Sequence, residues 1–250
     1  MRTIAGILIL INLACFGQLD NYYLKSYSVS DGLPNNHVRW ITQDRDGFLW
    51  LATWDGLARF NGVEFKTYRH DPNDSNSVAF FEIVKIAVDS NNQVWVFAGG
   101  RLCRYDRLHD HFIRYESSHF PEASPEGAPL GFFDIMVDPF GRLLVVYGNN
   151  YYNYDAEHDR FKKVVRCDSS EMHFIPSLAA FDNLKNFWYQ WLDRPDSKYA
   201  QLYKCSYDPE KGITVTDSFA CLLDNISNRF SNATLRADYF TNDSGRTYLA

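Results

Sequence analysis

Apolar and polar side chains alternate in short bursts along this chain, and turn residues separate one burst from the next. Val38, Trp40 and Thr42 fall on one face of an extended segment, while Arg39, Ile41 and Gln43 fall on the other. The run Asp44-Arg45-Asp46-Gly47 comes next. It is turn chemistry, because glycine supplies positive φ and the acid bonds its own backbone. The pattern predicts four strands, A to D in chain order: HVRWITQ, FLWLAT, GLARFN and VEFKTYR.

The A–B phrase then returns. DRDGFLWLA begins at Asp44, DSNNQVWVF at Asp89, DPFGRLLVV at Asp138, DNLKNFWYQ at Asp182 and NDSGRTYLA at Asn242. The strand aromatic or its substitute falls at Trp50, Trp95, Leu144, Trp188 and Tyr248. Ten residues beyond the first three of these stand Phe60, Tyr105 and Tyr154. Repeat two replaces the turn glycine with Asn92, the next best residue for that conformation. An all-β repeat of about 45 residues predicts a β-propeller of four-stranded antiparallel blades. A sandwich also has regular strands and turns, but gives no reason for one phrase to return in register.

The predicted blades span about 37–69, 82–116, 132–166 and 177–221, with the start of a fifth at about 234–250. Residues 22–28 include Tyr23, Leu24 and Tyr27 in YYLKSYS, which matches the outer-strand pattern of VEFKTYR and HFIRYES. They precede any A, B or C strand. That predicts a closing outer strand donated to the last blade, which removes a free edge. Four whole blades, part of a fifth and an orphan closing strand make an incomplete propeller, expected to be either a piece of a longer protein or a truncated product with exposed edges.

Composition adds limits. Aromatic residues are 16% of 250, which suits blades packed face to face through large rings. The net charge of −6, with no basic run, argues against nucleic acid as a partner. Met1 and Arg2, the apolar run Ile4 to Leu13 and the small residues before Gln18 predict a signal peptide over 1–17 and export of 18–250. Lipid attachment at Cys15 is the rival reading, although Asn12 stands where a large aliphatic is needed. The apolar run is too short for a spanning helix.

Four cysteines remain after cleavage. Cys103 and Cys205 hold equivalent positions in non-adjacent blades, too far apart to bridge, whereas Cys167 and Cys221 sit near outer strands of neighbouring blades, where a bridge is conceivable. The default is four small buried hydrophobes. No cysteine or histidine spacing points to metal.

From Ser30 to Gly62 the sequence SDGLPNNHVRWITQDRDGFLWLATWDGLARFNG resembles the regulator-propeller repeat of bacterial two-component systems. The resemblance rests on Gly32, Leu33, Pro34, Asn35, Asn36, Asp44, Gly47, Trp50, Gly56, Leu57, Arg59 and Phe60. Repeat two keeps Asp89, Trp95, Leu102, Arg104 and Tyr105 but loses two glycines, and later repeats drift further. The resemblance implies a periplasmic ligand-sensing propeller anchored in the inner membrane. Further blades, a membrane helix and a histidine kinase would follow in the same polypeptide, which would work as a homodimer. It also implies an oligosaccharide ligand.

In a propeller the D–A and B–C loops gather around the channel mouth. They supply Asn35, Asn36, His37, Trp54 and Asp55 from blade one, Asn76, Ser77 and Arg101 from blade two, and Asp134, Asn149, Asn150 and Tyr151 from blade three. Blade four has nine extra residues between Trp188 and Tyr207, among them Trp191, Arg194 and Asp196. The candidate ligand set is Trp54, Asp55, Asn36, His37, Arg101, Asn150, Tyr151, Trp191 and Arg194. Aromatic plates beside Asn, Asp and Arg suit sugars, which offer an apolar ring face and a hydroxyl rim. Asn and Asp are also turn formers in their own right. Trp54 stands apart, because an indole in a B–C loop has no turn-forming role. The loop Ser117 to Gly131 either arches over the mouth or decorates the rim.

Catalysis finds little support. Asp44, Asp89, Asp138 and Asp182 occupy repeated turn positions, and a residue repeated in every blade serves the fold. His109 and His111 fall in a C–D hairpin at the opposite face and read as solvent-exposed. Asp71 to Glu82 has the acids and amides of a calcium loop but Asn76 in place of its central glycine. Serine, cysteine and metal-hydrolase signatures are absent. The expectation is a binding segment without cofactor, metal or enzyme activity. Two alternatives stay open, an exported glycosidase or lyase acting on polysaccharide and a non-catalytic partner-binding propeller.

Overall fold

The structure is a computed structural model whose described residues are 25–120, 132–147, 150–164, 179–181, 185–192, 199–208, 211–222, 239–241 and 247–249. Strands β1 (Val38–Gln43), β2 (Leu49–Thr53), β3 (Gly56–Phe60) and β4 (Phe65–Tyr68) form one antiparallel sheet in chain order. The second sheet holds β5 (Ile83–Val88), β6 (Val94–Ala98), β7 (Arg101–Asp106) and β8 (His111–Tyr115). The third holds β9 (Phe132–Val137), β10 (Leu143–Tyr147), β11 (Asn150–Asp155) and β12 (Arg160–Lys163). In the fourth are β13 (Ala179–Phe181), β14 (Asn186–Leu192), β15 (Tyr199–Asp208) and β16 (Gly212–Leu222). A hairpin of β17 (Tyr239–Thr241) and β18 (Thr247–Leu249) follows.

The repeated phrase lands on one site of each successive sheet. Trp50 lies opposite Thr42 and Arg59, and Trp95 opposite Ala87 and Arg104. Leu144 lies opposite Met136 and Asn153, and Trp188 opposite Ala180 and Lys204. β1 runs beside β5 and β5 beside β9, so the sheets meet along their first strands and fan outward as propeller blades.

Alternation on each strand decides which neighbour a side chain meets. Trp50 and Ala52 of β2 pack with Val94, Val96, Tyr105 and Phe112 of the second blade. Trp95 and Phe97 of β6 point the other way, onto Leu143, Val145, Tyr152 and Tyr154. Leu144 and Val146 of β10 continue the series against Phe187, Cys205 and Tyr207. The strand-B indoles of blades one and two each meet the strand-C tyrosine of the next blade edge to face, with Trp50 4.8 Å from Tyr105 and Trp95 4.5 Å from Tyr154. On the other face of blade one, Tyr27 sets its ring edge against Phe60 and Phe65. Tyr22, Tyr23 and Leu24 of the predicted closing strand lie outside the described residues.

The turn acids of the first three blades hold their inner hairpins. Asp89 is buried; its Oδ1 accepts the amides of Asn91 and Gln93, each at 2.9 Å, and its Oδ2 accepts the Trp95 indole N–H at 3.0 Å. Asp44 does the same for Asp46, Phe48 and Trp50. In blade three, where Leu144 replaces the indole, the Tyr207 hydroxyl of blade four donates to Asp138 Oδ2 at 2.9 Å. Asn92 takes the glycine position with φ +61°.

A second latch joins outer strands of adjacent blades. Asp110, with φ +56°, accepts the hydroxyls of Tyr105 (2.5 Å) and Tyr68 (2.7 Å) and pairs with Lys66 of blade one. Asp159, with φ +46°, accepts Tyr154 (2.5 Å) and Tyr115 (2.7 Å) and pairs with Arg104 of blade two.

The extra residues of blade four lengthen its strands instead of forming only a loop: β14 has 7 residues, β15 has 10 and β16 has 11. Cys103 and Cys205 are free and buried, Cys221 belongs to β16, and Cys167 lies outside the described residues. Among the described residues no helix is long and apolar enough to cross a membrane.

Candidate functional site

The B–C turn of blade one and the link into blade two form one rim. Gly56 N–H donates to the Phe81 carbonyl at 2.8 Å, joining them directly. Gly56 has φ +119°, and a Cβ there would sit 2.8 Å from the Tyr68 carbonyl oxygen, so the turn has room for glycine alone. Trp54, two residues before Gly56 in the same turn, is 53% exposed.

Trp54 has company. The His37 ring lies 4.9 Å from it at a tilt of 53°, and the Arg39 guanidinium stands over it at 6.0 Å. Arg39 in turn pairs with Glu82, which leads into β5 of blade two. Asp55 pairs with Arg69, which also donates to the Pro34 carbonyl. An indole face, an imidazole and an Arg–Glu pair thus share one half-open patch between the first two blades. Such a patch can take an apolar ring face on the indole and hydroxyls on the flanking polar groups.

Deeper in, the innermost strands carry a row at matched positions. Trp40, Lys85 and Asp134 each stand four residues before their blade's turn acid. Lys85 Nζ lies 5.0 Å from the centre of the Trp40 ring and 2.9 Å from Asp134 Oδ1. Among these three only Asp134 was expected near the mouth from the sequence. Trp40 and Lys85 were legible there too, since both share its distance from the repeated acid.

The other candidates separate from the patch. Asn36 accepts the Val29 N–H at 2.8 Å and so fastens the short helical turn before blade one. Arg101 donates to the Ala79 carbonyl at 3.1 Å and lies over Phe80, which fixes the B–C turn of blade two to the link before it. Asn150 opens β11 opposite Tyr147. Tyr151 corrects the expectation of a surface ring: it is 5% exposed, with its ring 5.5 Å from Phe187. As the second residue of β11 it points between blades three and four. Trp191 is a strand residue of β14 opposite Gln201, and not part of a loop. Arg194, Asn149 and most of the 117–131 loop lie outside the described residues. A separate cleft of about 310 Å³, lined in part by Asn91, Arg142, Asn153 and Lys162, opens at the turn-acid face and includes none of the candidates.

Residues 32–55 match the family described as two component regulator propeller. A protein named histidine kinase P4 from Formosa agariphila is 45% identical over 62 residues, which are 25% of this chain and 4% of that protein. The fold is similar to PorZ, a surface component of the type-IX secretion system of Porphyromonas gingivalis, with TM-score 0.60 and 14% identity over 91% of this chain and 32% of that one. It is also similar to the extracellular domain of a putative one component system of B. thetaiotaomicron, with TM-score 0.55 and 16% identity over 91% of this chain and 30% of that one. Virginiamycin B lyase from Staphylococcus aureus aligns with TM-score 0.52 and 10% identity over 85% of this chain and 62% of its own. The chain therefore spans a small fraction of the kinase and about a third of the first two structures.

Proposed function

We propose, from a chain that carries the two-component regulator propeller repeat on a propeller scaffold, that these blades are part of the exported sensing region of a hybrid two-component protein. The ligand is a small oligosaccharide, and its binding has no catalytic step. The observation that carries this reading is the half-exposed Trp54 with His37 and Arg39 against it, on a rim where two blades join. A ligand spanning that rim would favour one relative setting of the blades. A downstream kinase would read the difference in affinity between two states. The blade-one turn acid, the residue type a glycosidase would recruit, is already occupied by amides, an indole and Arg107.

The test is a fluorescence titration of the purified chain with neutral and uronate-containing oligosaccharides, reading tryptophan emission and product release together. Saturable quenching without product, lost in Trp54→Ala, supports the reading. Quenching unchanged in Trp54→Ala, turnover of any probe, or no response to either class overturns it.

A further inference from the structure

At the face away from the rim, the β7–β8 hairpin of blade two brings three donor atoms together. His109 Nδ1 lies 2.8 Å from Asp106 Oδ2, and His111 Nε2 lies 3.1 Å from the same oxygen. Nδ1 of His109, Nε2 of His111 and a carboxylate oxygen of Asp106 all fall within 4.8 Å of one another. The other carboxylate oxygen, Oδ1, is held by the Leu108 amide at 2.9 Å, which turns Oδ2 toward the imidazoles. We propose that Asp106, His109 and His111 form a three-ligand site for a zinc-class divalent ion.

Zinc bonds to imidazole nitrogen and carboxylate oxygen of about 2.0–2.2 Å set ligand atoms roughly 3.3–3.5 Å apart around a tetrahedron. The two Asp–His separations, 2.8 and 3.1 Å, fall short of those edges and the two imidazole nitrogens lie within 4.8 Å of each other, so modest side-chain shifts would complete the ligand set. The fourth position opens to solvent, because the His109 side chain is 64% exposed. The neighbouring cations do not compete: Arg107 is committed to Asp44 and Asp46, and Lys66 to Asp110.

Blade three supplies an internal contrast. Its equivalent turn, Asp155 to Arg160, repeats the acid and the histidine, with His158 Nδ1 at 3.0 Å from Asp155 Oδ2. Glu157 also brings a carboxylate oxygen within 4.8 Å of these two, but the second imidazole is replaced by Arg160, and Arg160 and Lys162 both pair with Asp155. The Asp–His contact alone therefore belongs to the turn. The added His111, and the lack of a cation on Asp106 among the described ion pairs, set the blade-two hairpin apart.

Cobalt(II), an optical stand-in for zinc, is titrated into the purified chain carrying no histidine tag, followed by displacement with zinc. One equivalent should bind with the intense visible absorption of a low-coordinate nitrogen and oxygen site. His111→Arg, which gives blade two the blade-three sequence at that position, should weaken binding by about tenfold or more, while His158→Ala leaves it unchanged. A parallel reading needs no variant: zinc should protect His109 and His111 from diethylpyrocarbonate, mapped by mass spectrometry, and leave His158 reactive. Equal affinity in His111→Arg, no stoichiometric cobalt binding, or protection elsewhere overturns the proposal. None of these readouts depends on a sugar ligand, so the sensing proposal stands or falls separately.

Discussion

Removing the Asp89 carboxylate tests how much a single turn acid contributes to a blade. In Asp89→Ala three donors lose a charged acceptor, namely the amides of Asn91 and Gln93 and the Trp95 indole. The two amides belong to a part-buried turn and can turn to water, so each costs about 1 kcal/mol. The indole is fully buried and has no such recourse, which adds about 1–3 kcal/mol for an orphaned donor. The expected loss is about 3–5 kcal/mol, a large fraction of the 5–15 kcal/mol typical of a domain. Urea unfolding followed by far-ultraviolet circular dichroism measures it. Trp95→Phe deletes the indole donor, so the double variant should be less destabilised than the sum of the singles by about 1–2 kcal/mol. A loss below about 1 kcal/mol in Asp89→Ala, or additivity within about 0.5 kcal/mol, would refute the account.

Three further outcomes follow from the geometry. Gly56→Ala should lower stability by about 1–3 kcal/mol through its left-handed φ and the close Tyr68 carbonyl, and clearly more than Gly62→Ala, whose Cβ would meet nothing; urea midpoints compare the two. Partial burial pushes the Asp110 carboxyl up, but Lys66 and the Tyr105 and Tyr68 hydroxyls outweigh it and hold it down at about 2. Its unfolded value is about 3.9, so the stability gap between wild type and Asp110→Asn should be whole above that pH and close as pH falls through about 2. A gap that grows on acidification would contradict the latch. Burial pushes the Cys103 thiol up to about 12, against a smaller opposing effect of the Ala79 backbone, so iodoacetamide at neutral pH should label Cys103 only after denaturation, as mass spectrometry would show.

Much of the fold was legible in one dimension because each blade is local. The turn acid, the turn glycine or Asn92 and the strand aromatic sit within seven residues of one another, and their bonds close inside one hairpin. Alternation then assigned the faces: Trp50 with Ala52, Trp95 with Phe97 and Leu144 with Val146 each look to the following blade. The exposure of Trp54 was legible as well, since no turn requires an indole.

What sequence could not decide is what crosses between blades or brings side chains of a hairpin onto one atom. The Tyr207 hydroxyl fills the place of a missing indole from 69 residues away. Lys85 joins Trp40 to Asp134 only because β1, β5 and β9 run side by side. Tyr151 turned out to be core and Trp191 a strand residue, because the lengthened hairpin of blade four and the angle between blades set which faces are covered. His109 and His111 converge on Asp106 through the curl of a turn. Periodicity fixes the blade, since hydrogen bonds and alternation act over a few residues. The stacking of blades depends on sheet twist summed over whole strands, which no local pattern records.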